Sequence, residues 1–396
     1  MKLTGEQIAA AMGAEILARG DAGYPRRGII ESGEAREGDL FFGLRGERVD
    51  GSKFAPAALR AGAWGVVAEE ITARSSFVPS GGTKDERAPA AASGWVFAVA
   101  DPLAALQALA SAWRRELDVP VVGITGSVGK TSVKDIARAL LPGRVHANRE
   151  NLNTEIGLPL TLLEAPADTE LLVLEMAMRG PGQIAELAVI SEPRIAVITN
   201  VGPVHVELLG SVAAVAAAKA EILASLPPDG IAVVPVDAGE LEPHLAVAPS
   251  LLRFGPGGDI EAVERQVEDG VTEALIATPA GRARFHFPFV ERHNLTNALA
   301  AIGAGVALGA TLEEMADRAA SIGFSRFRGE RLELGDGIVL VNDCYNANPV
   351  SMRAALDHLA TLGAPRTVAV LGEMGELGPG AAGFHREVGE HARAGG

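Results

Sequence analysis

The fold is decided by the stretch Val119-Pro120-Val121-Val122-Gly123-Ile124-Thr125-Gly126-Ser127-Val128-Gly129-Lys130-Thr131-Ser132. It opens as an apolar run of the kind that forms a buried parallel strand, and it then breaks into glycines. After the Lys-Thr pair, apolar residues recur with helical spacing at Val133, Ile136, Ala137, Leu140 and Leu141. A strand, a glycine loop, a Lys-Thr pair and a helix in this order predict a phosphate-binding loop in an α/β fold.

This loop carries the chemistry that a nucleoside triphosphate requires. Glycines let backbone N–H groups turn inward around phosphate oxygens, and the N-terminus of the helix adds partial positive charge. Lys130 has the reach to contact the β- and γ-phosphates, and the Thr131 hydroxyl is a ligand for Mg²⁺. We therefore predict that ATP binds to the loop residues Thr125, Gly126, Ser127, Val128, Gly129, Lys130 and Thr131.

The spacing of the glycines departs from the usual motif. That motif places a glycine five residues before Gly129, where this chain has Ile124. The alternative interpretation is an ordinary glycine-rich turn between a strand and a helix. The Lys-Thr pair and the strand-to-helix context favour phosphate binding over that alternative.

Composition and charge narrow the class of protein. The 396 residues suit two or three domains, because one core rarely serves more than about 250–300 residues. The formal charge of −15 argues against nucleic acid or an anionic membrane as the main partner. The single cysteine, Cys344, excludes a disulfide framework and favours the cytoplasm. No run of 18 apolar residues occurs and the N-terminus does not resemble a signal peptide, so we expect no integral membrane contact.

Strands and helices alternate along most of the chain. We predict a small α/β domain over residues 1–101, a central domain over 102–323 and a last domain over 324–396, in which residues 367–371 form a strand. Residues 73–94 are rich in Ser, Gly, Pro and Ala and predict an exposed loop or insertion. Residues 250–290 are typical of antiparallel strands.

Three polar residues of the central domain are candidates for a site beside the phosphate loop. Glu175 ends one buried strand, His205 follows the next, and Lys219 lies on a helix over residues 212–226. Ligands of open α/β sheets lie beyond the carboxyl ends of the strands, so Glu175 and His205 are expected to face the same crevice as Lys130. Thr131 and Glu175 supply the hard oxygen ligands that Mg²⁺ prefers. Spacing alone assigns no role to His205 or Lys219.

The phosphate loop resembles that of the Mur ligase family, which carries the variant T-G-x-x-G-K-[TS]. Further segments similar to the family follow in its order at residues 151–157, 175–177, 200–202, 205–211, 218–221, 292–294, 343–349 and 372–378, with His385. The string Asp343-Cys344-Tyr345-Asn346-Ala347-Asn348-Pro349 is most similar to the members that add D-Ala-D-Ala. The resemblance covers nearly the whole chain.

The resemblance implies a three-domain Mur ligase architecture. Residues 1–101 would bind the UDP part of the substrate, residues 102–323 would form the central P-loop domain that binds ATP, and residues 324–396 would form a Rossmann-like ligase domain. This last domain is shorter than is usual in the family, and we expect it to be incomplete. The implied reaction phosphorylates the C-terminal carboxylate of a UDP-N-acetylmuramoyl tripeptide, and the amine of D-Ala-D-Ala then attacks the acyl phosphate, in peptidoglycan precursor synthesis.

Family positions also imply roles for individual residues. Lys130, His205 and Lys219 would be catalytic, and Thr131, Glu175, His205 and Lys219 would surround Mg²⁺, with Lys219 carbamylated by CO₂. Asn294, Arg328 and Asp343 would contact the nucleotide. The substrates would be bound by Ser32, Asn151, Asn153, Tyr345, Asn346 and Asn348.

Other interpretations stay open on the sequence. The chain could be another amide ligase of the superfamily, such as the folylpoly-γ-glutamate type, or a remnant that binds nucleotide and substrate without turnover. A P-loop kinase acting on a small molecule shares the first chemical step. We expect a monomer with no nucleic-acid partner.

Overall fold

The computed structural model describes residues 1–78 and 94–394. Its α-helices, numbered in chain order, are α1 Gly5–Met12, α2 Ala55–Arg60, α3 Glu70–Phe77, α4 Pro102–Leu117, α5 Lys130–Leu140, α6 Gly157–Glu164, α7 Gln183–Ser191, α8 Val206–Leu209, α9 Val212–Ala224, α10 Arg292–Ala307, α11 Leu312–Arg318, α12 Pro349–Thr361 and α13 Ala381–Ala394. Its strands are β1 Glu15–Ala18, β2 Arg27–Ile29, β3 Asp39–Phe42, β4 Gly65–Glu69, β5 Trp95–Val99, β6 Val121–Thr125, β7 Val145–Ala147, β8 Leu171–Glu175, β9 Ile195–Ile198, β10 Ile231–Pro235, β11 Leu251–Phe254, β12 Glu261–Glu268, β13 Val271–Thr278, β14 Gly281–Phe287, β15 Glu330–Gly335 and β16 Ile338–Asn342.

The chain forms two compact units. The first comprises residues 1–119 and 151–170, and the second comprises residues 120–150 and 171–396. The division into three domains at residues 101 and 323 stays a prediction. Within the described residues, no helix has both the length and the apolar character that a membrane span needs.

The first unit is built on a five-stranded sheet of order β1-β5-β4-β3-β2. Only β1 is antiparallel to its neighbour. Helix α1 begins at a capping box, in which Thr4 and Gln7 each bond the other's backbone N–H. The predicted loop over residues 73–94 is wrong at its start, because α3 continues to Phe77, and residues 79–93 lie outside the described residues.

The second unit contains a six-stranded parallel sheet of order β11-β10-β9-β6-β8-β7. Its central strands are fully buried apolar runs, as expected for a parallel sheet covered on both faces. The chain passes from β8 on one side of β6 to β9 on the other. This change of direction makes the carboxyl end of β6 the topological switch point at which α/β proteins bind ligands.

Helices α5 and α10 pack against each other on this sheet, and the predicted apolar face of α5 is buried in the core that they share. Strands β12, β13 and β14 form the antiparallel sheet predicted for residues 250–290. The first strand of that region differs from the prediction. β11 pairs parallel with β10, because its short apolar stretch completes the edge of the central sheet.

The chain after residue 324 forms an antiparallel hairpin of β15 and β16, followed by α12 and α13, which pack together. A small apolar cluster of Met352, Met374, Leu377 and Val388 joins these helices to the segment before α13. The strand predicted at residues 367–371 is wrong, since the structure shows no strand there. A strand requires backbone partners as well as an apolar sequence, and Val370 is 94% exposed.

Candidate active site

The phosphate loop joins β6 to α5 and is fastened to the end of β9. The Val128 N–H donates to Asn200 Oδ1 at 2.9 Å, and the Val128 carbonyl accepts from Thr199 Oγ1 at 2.5 Å. The Thr199 N–H in turn donates to the Thr125 carbonyl at 2.9 Å. Thr199 and Asn200 therefore hold the loop's backbone in place before any ligand binds.

Two glycines are required by the shape of the loop. Gly126 has φ +148°, and a Cβ there would lie 1.9 Å from Thr199 Oγ1. Gly129 has φ +84°, and its Cβ would lie 2.5 Å from Asn297 Oδ1. Ile124, where the usual motif has glycine, is a buried residue of β6. The variant spacing is thus explained, because the turn begins at Gly126 and needs no glycine earlier.

Lys130, Thr131, Glu175 and Arg328 converge at the start of α5. Lys130 Nζ donates to the Gly126 carbonyl at 2.8 Å. Thr131 Oγ1 donates to Glu175 Oε2 at 2.9 Å, and Arg328 Nη2 donates to Thr131 Oγ1 at 3.3 Å. Glu175 and Arg328 therefore both bond the hydroxyl that the sequence assigned to Mg²⁺.

Glu175 is placed by a residue that the sequence did not indicate. Asn148 Oδ1 accepts from the Glu175 N–H at 2.6 Å, and Asn148 Nδ2 donates to the Glu175 carbonyl at 3.3 Å. Lys134 Nζ bonds the Asn148 carbonyl at 3.1 Å. All three residues are buried. The paired bonds fix the backbone at the end of β8 and hence the direction of the carboxylate beside Thr131.

The burial of Lys130 lowers the pKa of its ammonium group. The negative charge of Glu175 raises this pKa, and the positive charge of Arg328 lowers it. A bound polyphosphate would supply the negative charge that this pair of cations lacks. The electrostatics of the loop therefore favour an anionic ligand.

A cleft of about 250 Å³ opens over these residues. It is lined by eight of the residues assigned to ATP, by two assigned to substrate and by Glu175, which is assigned to the metal; the first ten are Ser127, Val128, Gly129, Lys130, Thr131, Asn294, Arg328, Asp343, Asn346 and Asn348. Thr125, Gly126, His205, Lys219 and Tyr345 are not part of that lining.

A polar chain that the sequence did not indicate runs along the wall formed by α10 and α12. His358 Nε2 lies 3.4 Å from Glu291 Oε1, and Glu291 Oε2 accepts from Asn294 Nδ2 at 3.2 Å. Asn294 Oδ1 accepts from Asn297 Nδ2 at 3.4 Å. Asn297 adjoins Gly129, so this chain reaches from the C-terminal part of the protein to the phosphate loop.

Arg328 is supported by Tyr345. Its guanidinium carbon lies 4.0 Å from the centre of the Tyr345 ring, which is the geometry of a cation–π contact. Asp343 lies close enough for the positive charge of Arg328 to act on it, although burial dominates and raises the pKa of the Asp343 carboxyl. Tyr345 therefore contacts a residue assigned to the nucleotide, which its sequence assignment to substrate did not anticipate.

Lys219 is the most deeply buried cation near the loop, with 2% of its surface exposed. Within the described residues, no carboxylate forms an ion pair with it. Burial, followed by repulsion from Lys130, lowers the pKa of its amine well below the ordinary value. This environment disfavours the charged ammonium form of the side chain.

His205 precedes α8 in a left-handed conformation, with φ +55°. Its Nδ1 contacts the Glu376 carboxylate. Burial lowers the pKa of the imidazole, Glu376 raises it, and the charges of Lys219 and Lys130 lower it. These interactions place His205 near Lys219 and Lys130, although neither His205 nor Lys219 is part of the cleft lining.

Ser32, Asn151 and Asn153 belong to the first compact unit. Ser32 begins a 3₁₀ turn, Ser32–Glu34, and the Asn153 N–H donates to the Asn151 carbonyl at 2.8 Å. Their assignment to the UDP-linked substrate stays a prediction.

Comparisons with known proteins agree with this geometry. Three domains of Mur ligases match successive parts of the chain. They are the Mur ligase family catalytic domain at residues 29–114, the Mur ligase middle domain at 124–305 and the Mur ligase glutamate ligase domain at 327–395. A UDP-N-acetylmuramoyl-tripeptide–D-alanyl-D-alanine ligase of Synechocystis is 39% identical over 365 residues, covering 90% of this chain and 74% of that protein.

Solved structures give the same result. MurF from Acinetobacter baumannii superposes with a TM-score of 0.86 at 27% identity, covering 99% of this chain and 84% of that one. MurF ligase from Thermotoga maritima, solved in complex with ADP, has a TM-score of 0.78 at 32% identity and covers 92% of this chain and 82% of that one. The chain therefore belongs to the Mur ligase family of ATP-dependent, amide-bond-forming ligases.

Proposed function

We propose that this chain joins D-Ala-D-Ala to the C-terminal carboxylate of a UDP-N-acetylmuramoyl tripeptide at the expense of ATP, in peptidoglycan precursor synthesis. The observation that carries the proposal is the convergence of Lys130, Thr131, Glu175 and Arg328 at the phosphate loop. The names of the relatives, at 35–39% identity, support the choice of substrates. They do not favour a kinase or a ligase of the folylpolyglutamate type.

The reaction proceeds in two steps. A carboxylate oxygen of the tripeptide attacks the γ-phosphorus of ATP, the bond to the bridging oxygen breaks, and ADP leaves. The amine of D-Ala-D-Ala then attacks the acyl carbon, loses a proton, and displaces inorganic phosphate. Both reactants of the first step are anions, so Lys130 and Arg328 lower the barrier by offsetting the charge that gathers at the γ-phosphate.

Mg²⁺ fits the oxygen donors of this site. Thr131 and Glu175 present a hydroxyl and a carboxylate 2.9 Å apart beside the cleft. Within the described residues, no group of three or more His, Cys, Asp or Glu side chains is placed to hold a metal ion, and Mg²⁺ commonly combines one or two carboxylates with substrate phosphates and water. When bound, Mg²⁺ would neutralise phosphate charge, held by Thr131 and Glu175 with His205 and Lys219 close by.

Carbamylation of Lys219 is part of the proposal. The neutral amine adds to CO₂ and releases a proton, which converts the side chain into an anionic carbamate. Lys219 is buried with no carboxylate partner among the described residues, which supports this change, since a carbamate beside Lys130 would replace repulsion by attraction. The carbamate would also add an oxygen ligand for the metal.

The remaining assignments follow the family positions. Asn294, Arg328 and Asp343 would contact the nucleotide, and their place on the cleft wall supports this role. Tyr345, Asn346 and Asn348 would contact the peptide substrates, and Ser32, Asn151 and Asn153 would contact the UDP-linked part. Three functional domains, with boundaries near residues 101 and 323, complete the proposal. A reaction that consumes ATP is expected in the cytoplasm.

The experiment that tests this function is a measurement of ADP release by the purified chain with Mg·ATP. We expect release only when UDP-N-acetylmuramoyl tripeptide and D-Ala-D-Ala are both present, because the acyl phosphate turns over only when an amine accepts the acyl group. The controls omit each substrate in turn. ADP release that is independent of D-Ala-D-Ala would contradict the ligase assignment, and binding of all substrates without turnover would indicate the binding remnant.

A further inference from the structure

The motif at residues 372–378, Gly-Glu-Met-Gly-Glu-Leu-Gly, has no role in the site described above. In the structure it forms a loop between residue 371 and the 3₁₀ turn before α13. Its Glu376 carboxylate contacts His205 Nδ1, although the two residues lie 171 positions apart in the chain. This contact joins the C-terminal part of the chain to a residue beside Lys130 and Lys219.

Apolar packing and hydrogen bonds within the C-terminal part of the chain hold this loop in place. Met374 and Leu377 are buried in the apolar cluster with Met352 and Val388. The Met374 N–H donates to His385 Nε2 at 3.0 Å, and His385 Nδ1 bonds the Ala381 carbonyl at 2.8 Å. A neutral His385 with its proton on Nδ1 satisfies both bonds at once. Glu376 is therefore presented from a fixed backbone.

The backbone of the loop also contacts α8. The Glu207 N–H donates to the Glu376 carbonyl at 3.3 Å. Gly378 has φ +62°, and a Cβ there would lie 3.1 Å from Glu207 Cα. Glycine at 378 thus permits both the left-handed turn and the close approach to α8.

A carboxylate that accepts a hydrogen bond from Nδ1 determines whether the other ring nitrogen of His205 carries a proton. Nδ1 donates its hydrogen to Glu376, so Nε2 is left without a proton in the neutral ring and is free to accept or to bind a metal. Without such a partner the ring selects its tautomer freely and rotates about its side-chain bonds. Carboxylate partners of this kind commonly orient histidines at metal and catalytic sites.

We propose that Glu376 is a positioning residue, which fixes the tautomer and orientation of His205 and so makes turnover depend on docking of the 372–378 loop. This inference rests on the proposed function for its effect on turnover. The contact itself does not depend on that function, so it is tested separately in the protein without ligands.

The direct test is ¹⁵N NMR of the imidazoles in histidine-labelled protein, with the His205 signals identified by their loss in His205→Asn. The chain has eight histidines, which keeps the spectrum simple. We expect His205 to carry its proton on Nδ1 in the wild type and to change to mainly Nε2–H in Glu376→Ala. Glu376→Gln keeps an acceptor oxygen and should retain the wild-type tautomer. An unchanged His205 spectrum in Glu376→Ala would overturn the proposal.

Kinetics supply the second readout. We expect Glu376→Ala to lower kcat by about 10- to 100-fold with KM for D-Ala-D-Ala unchanged, and Glu376→Gln to recover much of the loss. The matched control is Glu373→Ala, an exposed carboxylate of the same loop, which should behave as wild type. Equal losses in both alanine variants, or a rise in KM with kcat unchanged, would contradict a positioning role. If the wild type has no ligase activity, the proposed function fails. The NMR result then still shows whether Glu376 sets the tautomer of His205.

Discussion

Lys130→Ala is expected to lower kcat for ADP release by about 10²- to 10³-fold or more, the range found when one preorganised group that stabilises transition-state charge is removed. Lys130 is anchored to the Gly126 carbonyl at 2.8 Å, at the turn of the phosphate loop. Its ammonium is buried, and a charge there acts more strongly on phosphate than it would in water. Lys134 bonds the Asn148 carbonyl and Lys219 lies on α9, so neither is expected to replace Lys130.

The measurement is steady-state ADP release with saturating substrates, together with the binding of Mg·ATP by calorimetry. Lys2→Ala, which removes an exposed lysine, is the control for general effects of charge and purification. We also expect the thermal unfolding midpoint of Lys130→Ala to stay at or above the wild-type value, because the variant no longer buries an ammonium group. Near-normal turnover by Lys130→Ala would overturn the assignment of the loop.

Lys219→Ala is expected to reduce turnover by about 10²- to 10³-fold and to be rescued by small carboxylates such as formate or acetate. The alanine leaves a space in which a carboxylate can take the place of the carbamate. The matched control is Lys219→Met, whose side chain fills that space and should not be rescued. Lys219→Met keeps most of the side-chain volume, whereas Lys219→Ala leaves a buried space, so we expect the alanine variant to be the less stable of the two.

Direct detection of the carbamate completes this test. Wild-type protein equilibrated with ¹³C-bicarbonate should give a carbamate carbon signal that is absent from Lys219→Met. Turnover of the wild type should also fall when CO₂ is removed and recover when bicarbonate returns. Failure of rescue in Lys219→Ala together with no ¹³C signal in the wild type would refute carbamylation and leave Lys219 as an unmodified buried amine.

Local sequence was sufficient to predict the phosphate loop and the sheet that carries it. Glycines 126 and 129 are needed at single positions by positive φ and by close approach, and the apolar runs of β6, β8 and β9 read as buried parallel strands. The strand expected at residues 367–371 was wrong for a reason that no local pattern contains. No strand in the described part of the chain pairs with its apolar residues, and Val368 and Val370 are largely exposed.

The partners of the site were harder to predict because they are distant in the chain. Asn148 orients Glu175 across 27 positions, and Glu376 reaches His205 across 171. Neither asparagine nor glutamate has a local signature that separates a partner of this kind from a solvent-exposed polar residue. Resemblance to the Mur ligase family singled out the segments around Glu376 and Asn294, but their contacts required the folded chain.

The central claim is that this site forms an acyl phosphate, and transfer of oxygen tests it most directly. UDP-N-acetylmuramoyl tripeptide labelled with ¹⁸O in its C-terminal carboxylate is turned over with Mg·ATP and D-Ala-D-Ala, and the released inorganic phosphate is analysed by mass spectrometry. We predict one ¹⁸O atom in each phosphate released from fully labelled substrate, because the attacking carboxylate oxygen leaves with the phosphoryl group. Phosphate without ¹⁸O, formed together with the amide product, would contradict the account.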